Sequence, residues 1–254
     1  MHQIAPAELE IAIVSATFAI GYAAYYSVFH SARVRAWFAG RYEHDRSETL
    51  RNLFYRALMV LGFGIVPAVL LSVFGPRSLA DYGLILVWDT GHAAITAALS
   101  LVVVLVIRIN PGRRKLIGMY PQMRIASWLP RHVVINALGW AAYLFAYELM
   151  FRGFLLRALL PCGVVAALSV NTLLYVAVHV PKGLSEAIAA IPFGLLVCCL
   201  SLEFGTIWPA FFLHLALALA NSFVAIAENP RMRIAPRRRE ITTAPSGRSD
   251  EPNA

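Results

Sequence analysis

The chain has 254 residues, of which 59% are hydrophobic and 14% are charged, and its mean hydropathy is +0.65. Soluble domains average roughly 45–50% apolar and about 25% charged residues, so this composition excludes a soluble domain, a disordered chain and a small disulfide-bonded scaffold. The 22 Lys and Arg residues outnumber the 14 Asp and Glu residues, which gives a formal net charge of +8. A positive charge of this size is typical of nucleic-acid binding, but it also arises when basic residues flank membrane spans. The positions of the basic residues decide between these two explanations.

Seven stretches are long and apolar enough to cross a bilayer, which takes about 20 mostly apolar residues. In chain order they are 9–30, 53–75, 91–109, 133–158, 162–180, 184–203 and 206–227. Very short connections join the last four, so these must pack as an up-and-down bundle. The sequence therefore predicts an all-α, polytopic transmembrane helix bundle of about seven spans.

We expect three regions along the chain. Residues 1–130 hold the N-terminal spans and the interfacial loops, and residues 131–227 hold a four-helix core. Residues 228–254 are rich in Pro, Arg and Ser and poor in apolar residues, a composition that predicts a disordered basic tail.

The basic residues concentrate on one side of the predicted bundle. Of the 22 Lys and Arg residues, 17 lie in 31–52, 110–132, the connection at Lys182 and the tail, and the opposite side holds Arg77 alone. Under the positive-inside rule the C-terminus is cytoplasmic, and an odd number of spans then places the N-terminus outside. The net charge is thus explained by topology and by attraction to membrane lipid. No aromatic-interleaved basic stripe remains, so we expect no nucleic-acid partner.

Ionisable side chains within the last four spans are the candidate functional residues, because charges inside a bilayer are costly and are usually paired or functional. Glu148 and Arg152 lie four residues apart, so they share a helix face and can form an ion pair. Tyr175 and His179 share a face in the same way. His214 lies well inside an apolar helix and needs a polar partner, for which Glu148 and His179 are the natural candidates.

Convergence of Glu148, His179 and His214 in one membrane-buried cavity permits two chemistries. A carboxylate beside two imidazoles can polarise a water for attack on a carbonyl, and a histidine can stabilise the resulting oxyanion. The same three side chains could instead bind a divalent metal such as zinc. By simple counting, His179 falls near the cytoplasmic end whereas the other two lie deeper, so helix tilt or a break after Pro161 is needed to bring them level. Asn221 lies two turns beyond His214 on the same face.

Three motifs follow one another on these spans: Glu-Leu-Met-Phe-Arg-Gly-Phe-Leu at 148–155, Tyr-x-x-x-His at 175–179, and a stretch at 193–214 that contains Phe-Gly-Leu-Leu, Gly-Thr-Ile-Trp-Pro-Ala and Leu-His. In order and spacing they resemble the CPBP intramembrane endopeptidases, also called the CAAX protease and bacteriocin-processing, or Abi, family. The resemblance covers about residues 130–225. It implies a membrane-buried protease. Eukaryotic members of the family remove the last three residues of prenylated proteins, and bacterial members are linked to bacteriocin maturation or self-immunity.

The resemblance also implies a role for each matching residue. The family pattern is Glu-Glu-x-x-x-Arg, then Phe-x-x-x-His, then His-x-x-x-Asn/Asp. Glu148 would match the second glutamate and Arg152 the arginine, while His179 and His214 would match the two histidines.

The sequence departs from that pattern at two positions. Tyr147 stands where the family has its first glutamate, to which the water-activating role is generally given, and Ala218 stands at the Asn/Asp position. Asn221 comes three residues too late to take that place. The sequence also looks like a variant branch that reads Tyr-Glu-x-x-x-Arg-Gly and then His-x-x-Lys-x-x-x-Glu. In that branch Lys182 and Glu186 would join the site, with one of its two glutamates as general base and the lysine orienting it.

Three functions stay open at this point. In a membrane-embedded endopeptidase acting on a peptide or membrane protein, Glu148 would be the general base, and His179 and His214 would position the water and stabilise the oxyanion. Arg152 would keep the Glu148 carboxyl group ionised. The second hypothesis is a catalytically inactive relative that acts as a membrane scaffold or a bacteriocin self-immunity factor. The departures at Tyr147 and Ala218 favour it. A transporter or proton relay would be expected to show repeat symmetry or paired broken helices, which the sequence lacks.

The basic residues also indicate the kind of organism. Lys115 and Lys182 are the only lysines, against many arginines, which fits a GC-rich bacterial genome. We therefore expect a multi-pass protein of a bacterial inner membrane, for which a prenylated substrate is less favoured.

Overall fold

The structure, a computed structural model, describes residues 6–86, 89–110 and 116–235. It is built almost entirely of helices, joined by short turns. The helices are α1 Pro6–His30, α2 Ala32–Arg41, α3 His44–Met59, α4 Val66–Phe74, α5 Thr90–Ile109, α6 Leu116–Met119, α7 Pro130–Glu148, α8 Leu156–Leu159, α9 Val164–Ala177, α10 Leu184–Glu203 and α11 Trp208–Glu228.

Two π-helical turns join neighbouring helices into long spans. Val60–Ile65 connects α3 to α4, and Leu149–Leu155 connects α7 to α8, so the residues of each pair form one continuous helical stretch. Seven helices are then long and apolar enough to cross a membrane: Pro6–His30, His44–Phe74, Thr90–Ile109, Pro130–Cys162, Val164–Lys182, Leu184–Glu203 and Trp208–Glu228. This confirms the predicted all-α bundle of seven spans. A π turn within an α-helix is often found at a functional site.

The basic connections meet at one end of the bundle. His44, at the start of the second span, is hydrogen-bonded through Nε2 to the Arg124 carbonyl oxygen at 2.9 Å. Strand β1, Ser127–Trp128, pairs in parallel with strand β2, Arg233–Ile234. Two residues of the segment predicted as a tail thus pair with the loop at 120–129, and residues 236–254 lie outside the described residues.

The opposite end of the bundle is held by a buried carboxylate. Glu10 of α1 is 1% exposed; it accepts a hydrogen bond of 2.8 Å from the Tyr82 hydroxyl and pairs with Arg77 at 3.4 Å. Burial raises the pKa of Tyr82, and its hydrogen bond to the Glu10 carboxylate raises it further. The Thr206 hydroxyl, just before α11, donates to the Gly83 carbonyl at 3.0 Å. These contacts fasten the loop at 75–86 across three spans.

A buried arginine joins the second span to α7. Arg56 is 4% exposed and donates to the carbonyl and the side-chain oxygen of Asn136, both at 2.9 Å, while its guanidinium carbon lies 4.5 Å from the Trp140 ring centre. A Cβ on Gly139 would lie 2.5 Å from Arg56 Nη1. The absence of a side chain at Gly139 therefore makes room for the arginine, and the α3–α7 contact lies about two to three helix turns before Glu148.

Candidate functional site

Glu148 lies where α7 passes into the π turn, and it is held from two sides. Arg152 Nη1 lies 3.1 Å from Glu148 Oε2, and both side chains are fully buried. His214 of α11 reaches the other carboxylate oxygen, with 2.5 Å between its Nδ1 and Glu148 Oε1. The structure thus contains the ion pair that the four-residue spacing predicted. It also contains the contact between Glu148 and His214, which was predicted because a buried histidine needs a polar partner.

The Glu148 contact determines where His214 carries its hydrogen. An ionised carboxylate only accepts hydrogen bonds, so His214 Nδ1 is the protonated nitrogen and the neutral ring has its lone pair on Nε2. A carboxylate that binds Nδ1–H fixes both the tautomer and the orientation of an imidazole, as in hydrolase triads. The geometry therefore gives His214 a free basic nitrogen and gives Glu148 the task of orienting it.

The guanidinium of Arg152 is fixed by neighbours from three helices. Its central carbon lies 4.4 Å from the centre of the Tyr175 ring, and Nη2 donates to the Gly194 carbonyl at 3.5 Å. A Cβ on Gly194 would lie 3.0 Å from Tyr175 Cδ1, so α9 and α10 approach closely here. A cation over an aromatic face is stabilised more strongly when it is shielded from water, and this packing holds the charge opposite Glu148.

His179 lies just past the end of α9 and is oriented by Tyr175. Its Nδ1 is 2.8 Å from the Tyr175 carbonyl oxygen, and the two rings are 4.6 Å apart. A carbonyl is also a pure acceptor, so His179 too has its lone pair on Nε2. Among the described residues, no hydrogen bond or ion pair joins His179 to Glu148 or His214. Tyr175 lies between them, with its ring 6.3 Å from that of His214.

Two cavities meet at His179. The first, of about 260 Å³, is lined by Tyr147, His179 and Lys182 together with several other tyrosines, and we call it the tyrosine cavity. The second, of about 170 Å³, is lined by His179, Glu186 and Asn221. Glu148 and His214 line neither cavity. The site is thus layered, with the charged pair enclosed behind Tyr147 and Tyr175.

Tyr147 forms the wall between the tyrosine cavity and the charged pair. It is 4% exposed, and its ring stands edge-on to His214 with 5.5 Å between ring centres. Its hydroxyl is buried without a hydrogen-bond partner among the described residues. An unpaired buried hydroxyl beside a cavity is available to a group that enters the cavity.

The remaining predicted site residues lie towards the basic end. Lys182 is exposed, Glu186 is half-buried, and their charges attract each other. Asn221 is 7% exposed and its amide is hydrogen-bonded to the hydroxyl of Tyr120, a residue whose pKa is raised by burial and, to a lesser extent, by the charge of Glu186. The contact of Asn221 is therefore with the loop at 120–129.

The predicted zinc alternative finds no ligand set in the part of the chain that the structure describes. No group of three or more His, Cys, Asp or Glu side chains there is placed to hold a metal ion. His179 Nδ1 is hydrogen-bonded to the Tyr175 carbonyl, and His214 Nδ1 is hydrogen-bonded to Glu148. Glu148 also pairs with Arg152. Glu148 and His214 are thus in contact, whereas His179 lies one layer away, so the three side chains predicted as possible metal ligands do not converge on one point.

Comparison with known families finds a match that includes the candidate site. Residues 123–220 match the family of Rce1-like proteins, described as type II CAAX prenyl endopeptidase Rce1-like. The match confirms the predicted CPBP resemblance, and it includes Glu148, Arg152, His179 and His214 but ends one residue before Asn221. It covers about two fifths of the chain. No curated protein and no solved structure matches the chain significantly.

Sequence reasoning missed two features of the site. One is the π turn at Leu149–Leu155, for which the sequence gives no pattern distinct from an α-helix. The other is the contact of Tyr175 with Arg152. The Tyr-x-x-x-His motif singled out Tyr175, but its contact with Arg152 depends on how closely α9 approaches α7. Ala218, at the second departure from the family pattern, is 3% exposed and packs among apolar and aromatic residues.

Proposed function

We propose that this protein is a membrane-embedded endopeptidase that hydrolyses a peptide bond with His214 as general base and Glu148 as its orienting partner. The observation that carries the proposal is the fully buried Arg152–Glu148–His214 array, located inside the segment that matches a protease family. A purely structural contact between helices does not require a buried carboxylate between a cation and an imidazole, because apolar packing holds helices together without one. Perturbed, paired ionisable groups of this kind cluster at functional sites.

The first step follows from the hydrogen positions. A water bound to His214 Nε2 gives its proton to that nitrogen as its oxygen attacks the peptide carbonyl carbon. His214 becomes an imidazolium, which the Glu148 carboxylate stabilises across the 2.5 Å contact. Arg152 keeps that carboxylate ionised, because a nearby cation favours the charged form. His179 lies one layer away across Tyr175 and lines the tyrosine cavity, from which the substrate reaches His214.

The oxyanion needs a donor, and neither neutral histidine supplies one from Nε2. The buried, unpaired hydroxyl of Tyr147 belongs to a ring that lines the tyrosine cavity and contacts His214, and hydroxyl donors are known members of oxyanion holes. The tetrahedral intermediate then collapses: the C–N bond breaks, and the His214 imidazolium returns its proton to the departing amine. The products are a carboxylic acid and an amine, and the acid then gives its proton to the amine, which leaves a carboxylate and an ammonium group. Substrate entry requires the Tyr147 side chain to move, because it separates the cavity from His214.

The proposal also includes the location of the protein and its substrate. The seven spans and the lysine-poor, arginine-rich composition support a multi-pass protein of a bacterial inner membrane with its basic end in the cytoplasm. The substrate is then a peptide or a membrane protein that reaches the cavity from the lipid or from the cytoplasmic face.

A catalytically inactive scaffold or immunity factor is the second candidate, and specific observations favour it. Glu148 and Arg152 are fully enclosed, and Tyr147 and Ala218 replace two polar family residues. In that case Glu148→Ala would leave the biological phenotype unchanged as long as the protein folds and inserts, whereas the endopeptidase proposal requires the phenotype to be lost.

The experiment that tests the proposal is cleavage of a peptide library by the purified full chain in lipid micelles, with products identified by mass spectrometry. We expect wild-type protein to generate new termini and His214→Gln to generate none. His92→Gln is the matched control, since His92 lies at the start of α5 and contacts Asp89 and Phe204. Cleavage by His214→Gln at the wild-type rate, or none by either protein, would contradict the proposal.

A further inference from the structure

A second polar pocket lies at the basic end of the bundle, outside the candidate site. It has a volume of about 280 Å³ and is lined by residues from the end of α1, from α2 and α3, and from the loop at 116–129. Its charged lining residues are Arg35, Arg51 and Arg124, joined by His30. We call it the basic pocket. None of Glu148, His179 and His214 lines it.

The cations of the basic pocket are held in place by the fold. Arg124 donates from Nη1 to the Ile117 carbonyl and from Nη2 to the Gly118 carbonyl, both at 2.7 Å. Arg51 pairs with Glu48 one turn earlier on α3. Arg35 reaches the Phe29 carbonyl at 3.4 Å. Glu48 is the one carboxylate that pairs with these arginines among the described residues, so the pocket keeps an excess of positive charge.

Two buried polar groups beside these cations have no protein partner. Asn52 is 8% exposed and Tyr55 is 6% exposed, and both line the pocket. The side-chain oxygen of Asn52 and the hydroxyl of Tyr55 make no hydrogen bond within the described part of the chain. Because unpaired buried polar groups destabilise a fold, this combination indicates a ligand that brings both acceptors and a donor.

We propose that the basic pocket binds the head group of an anionic phospholipid whose head group carries hydroxyls, as in phosphatidylglycerol. Arginines bind phosphate oxygens with paired donors, and the Tyr55 hydroxyl adds a further donor. A head-group hydroxyl donates to the Asn52 oxygen. Basic pockets between spans at the membrane boundary are a known way of binding such lipids. A carboxylate alone would satisfy the arginines but leave the Asn52 oxygen unpaired.

The surroundings of the basic pocket also provide a path for the acyl chains. Phe29, Met119 and His30 line both the basic pocket and the tyrosine cavity. Tyr25 lines the tyrosine cavity and also an apolar groove of about 570 Å³ that runs along α1 and the second span. The head-group site is thus connected through aromatic side chains to a surface that faces lipid.

The test is the binding of phosphatidylglycerol to the full chain purified in a neutral detergent, measured by the shift of the thermal unfolding midpoint across a lipid titration. Phosphatidylcholine is the zwitterionic comparison, and inorganic phosphate and glycerol 1-phosphate are the soluble ones. We expect only phosphatidylglycerol to raise the midpoint at micromolar concentration. Arg35→Gln and Tyr55→Phe should each weaken that binding by about tenfold, as the loss of one charge-assisted hydrogen bond predicts.

Matched controls separate binding from folding. Arg33 lies on α2, as Arg35 does, and Tyr42 directly follows the last residue of that helix. Both line a different, apolar groove, so Arg33→Gln and Tyr42→Phe should bind as the wild type does. The midpoint in phosphatidylcholine reports whether each variant folds normally.

Several outcomes would overturn the proposal. Equal shifts with phosphatidylcholine would show a general lipid effect, and an equal shift with inorganic phosphate would show a site for free oxyanions. Unchanged binding in both Arg35→Gln and Tyr55→Phe would place the lipid elsewhere. Displacement of the lipid by a peptide with a free α-carboxylate, but not by its amide, would assign the pocket to a peptide end.

Discussion

His214 donates a hydrogen bond from Nδ1 to Glu148 Oε1 over 2.5 Å and so joins α11 to the end of α7. Sixty-six residues separate the two in sequence, and the second carboxylate oxygen is taken by Arg152. The contact makes the three side chains one unit, in which a change at any of them alters the charge balance of the other two.

Arg152→Met should destabilise the fold strongly, since it leaves the Glu148 carboxylate buried without its cation. Removing one partner of a buried ion pair costs about 3–5 kcal/mol. The free energy of unfolding in mixed detergent micelles measures this. Arg157→Met is the comparison, because Arg157 is only half-buried and donates to the Ser201 carbonyl at 3.5 Å. An equal loss in the two variants would show that the Arg152 charge is not specifically paired.

Replacing both members of the pair should restore part of that stability. Glu148→Gln combined with Arg152→Met removes the uncompensated charge, so the double variant should be more stable than Arg152→Met alone. The same unfolding assay measures the coupling. A double variant as unstable as the sum of the single variants would contradict the ion pair.

Tyr147→Phe should lower kcat by about 10²–10³-fold with little change in KM, the usual loss on removing one oxyanion donor. The ring that packs against Phe151 at 4.6 Å is kept, so the fold should be preserved. Tyr143→Phe is the matched control, one turn earlier on the same helix and also lining the tyrosine cavity. An unchanged kcat in Tyr147→Phe would remove the hydroxyl from the reaction.

Gly194→Ala should destabilise the protein by about 1–3 kcal/mol, the usual cost of overpacking. The added methyl group would lie 3.0 Å from Tyr175 Cδ1, and Tyr175 in turn holds the Arg152 guanidinium. Gly40→Ala, where a Cβ meets nothing within 4 Å, should instead be neutral or stabilising. Unfolding free energies of the two variants check this, and equal effects would contradict the close approach of α9 and α10.

Asn221→Ala should loosen the basic-end loop and leave the charged array intact. Loss of its hydrogen bond to the buried Tyr120 hydroxyl should destabilise that contact by about 1 kcal/mol, which faster hydrogen exchange at 117–129 would report. Ser222→Ala is the control on the same helix, since its hydroxyl bonds only to the Ala218 carbonyl one turn back. Loss of all cleavage in a folded Asn221→Ala protein would instead place Asn221 in the reaction.

Much of the fold follows from hydropathy alone. The seven spans were predicted to within a few residues at most of their ends, because a helix that crosses lipid must be both long and apolar. The Glu148–Arg152 pair follows from helix spacing, and the Glu148–His214 contact follows from the need of a buried imidazole for a partner. These are local or near-obligatory consequences of placing charge in an apolar span.

The contacts that sequence reasoning missed depend on how helices approach one another. Arg56 and Asn136 lie on different spans, and only the missing side chain of Gly139 lets them meet. Asn221 shares a helix face with His214 in sequence, yet its amide bonds to a loop residue brought there by the fold. Tyr147 likewise separates the tyrosine cavity from the charged pair because its ring packs against those of Phe151, Tyr175 and His214.

The most direct measurement of the central claim is a kinetic double-mutant cycle on Glu148 and His214, with peptide cleavage by the full chain as the readout. Groups that act as one catalytic unit are strongly non-additive. We expect Glu148→Gln and His214→Gln each to abolish most of the wild-type rate, and the double variant to be no slower than His214→Gln alone. Cleavage that survives in either single variant, or losses that multiply in the double variant, would contradict the account.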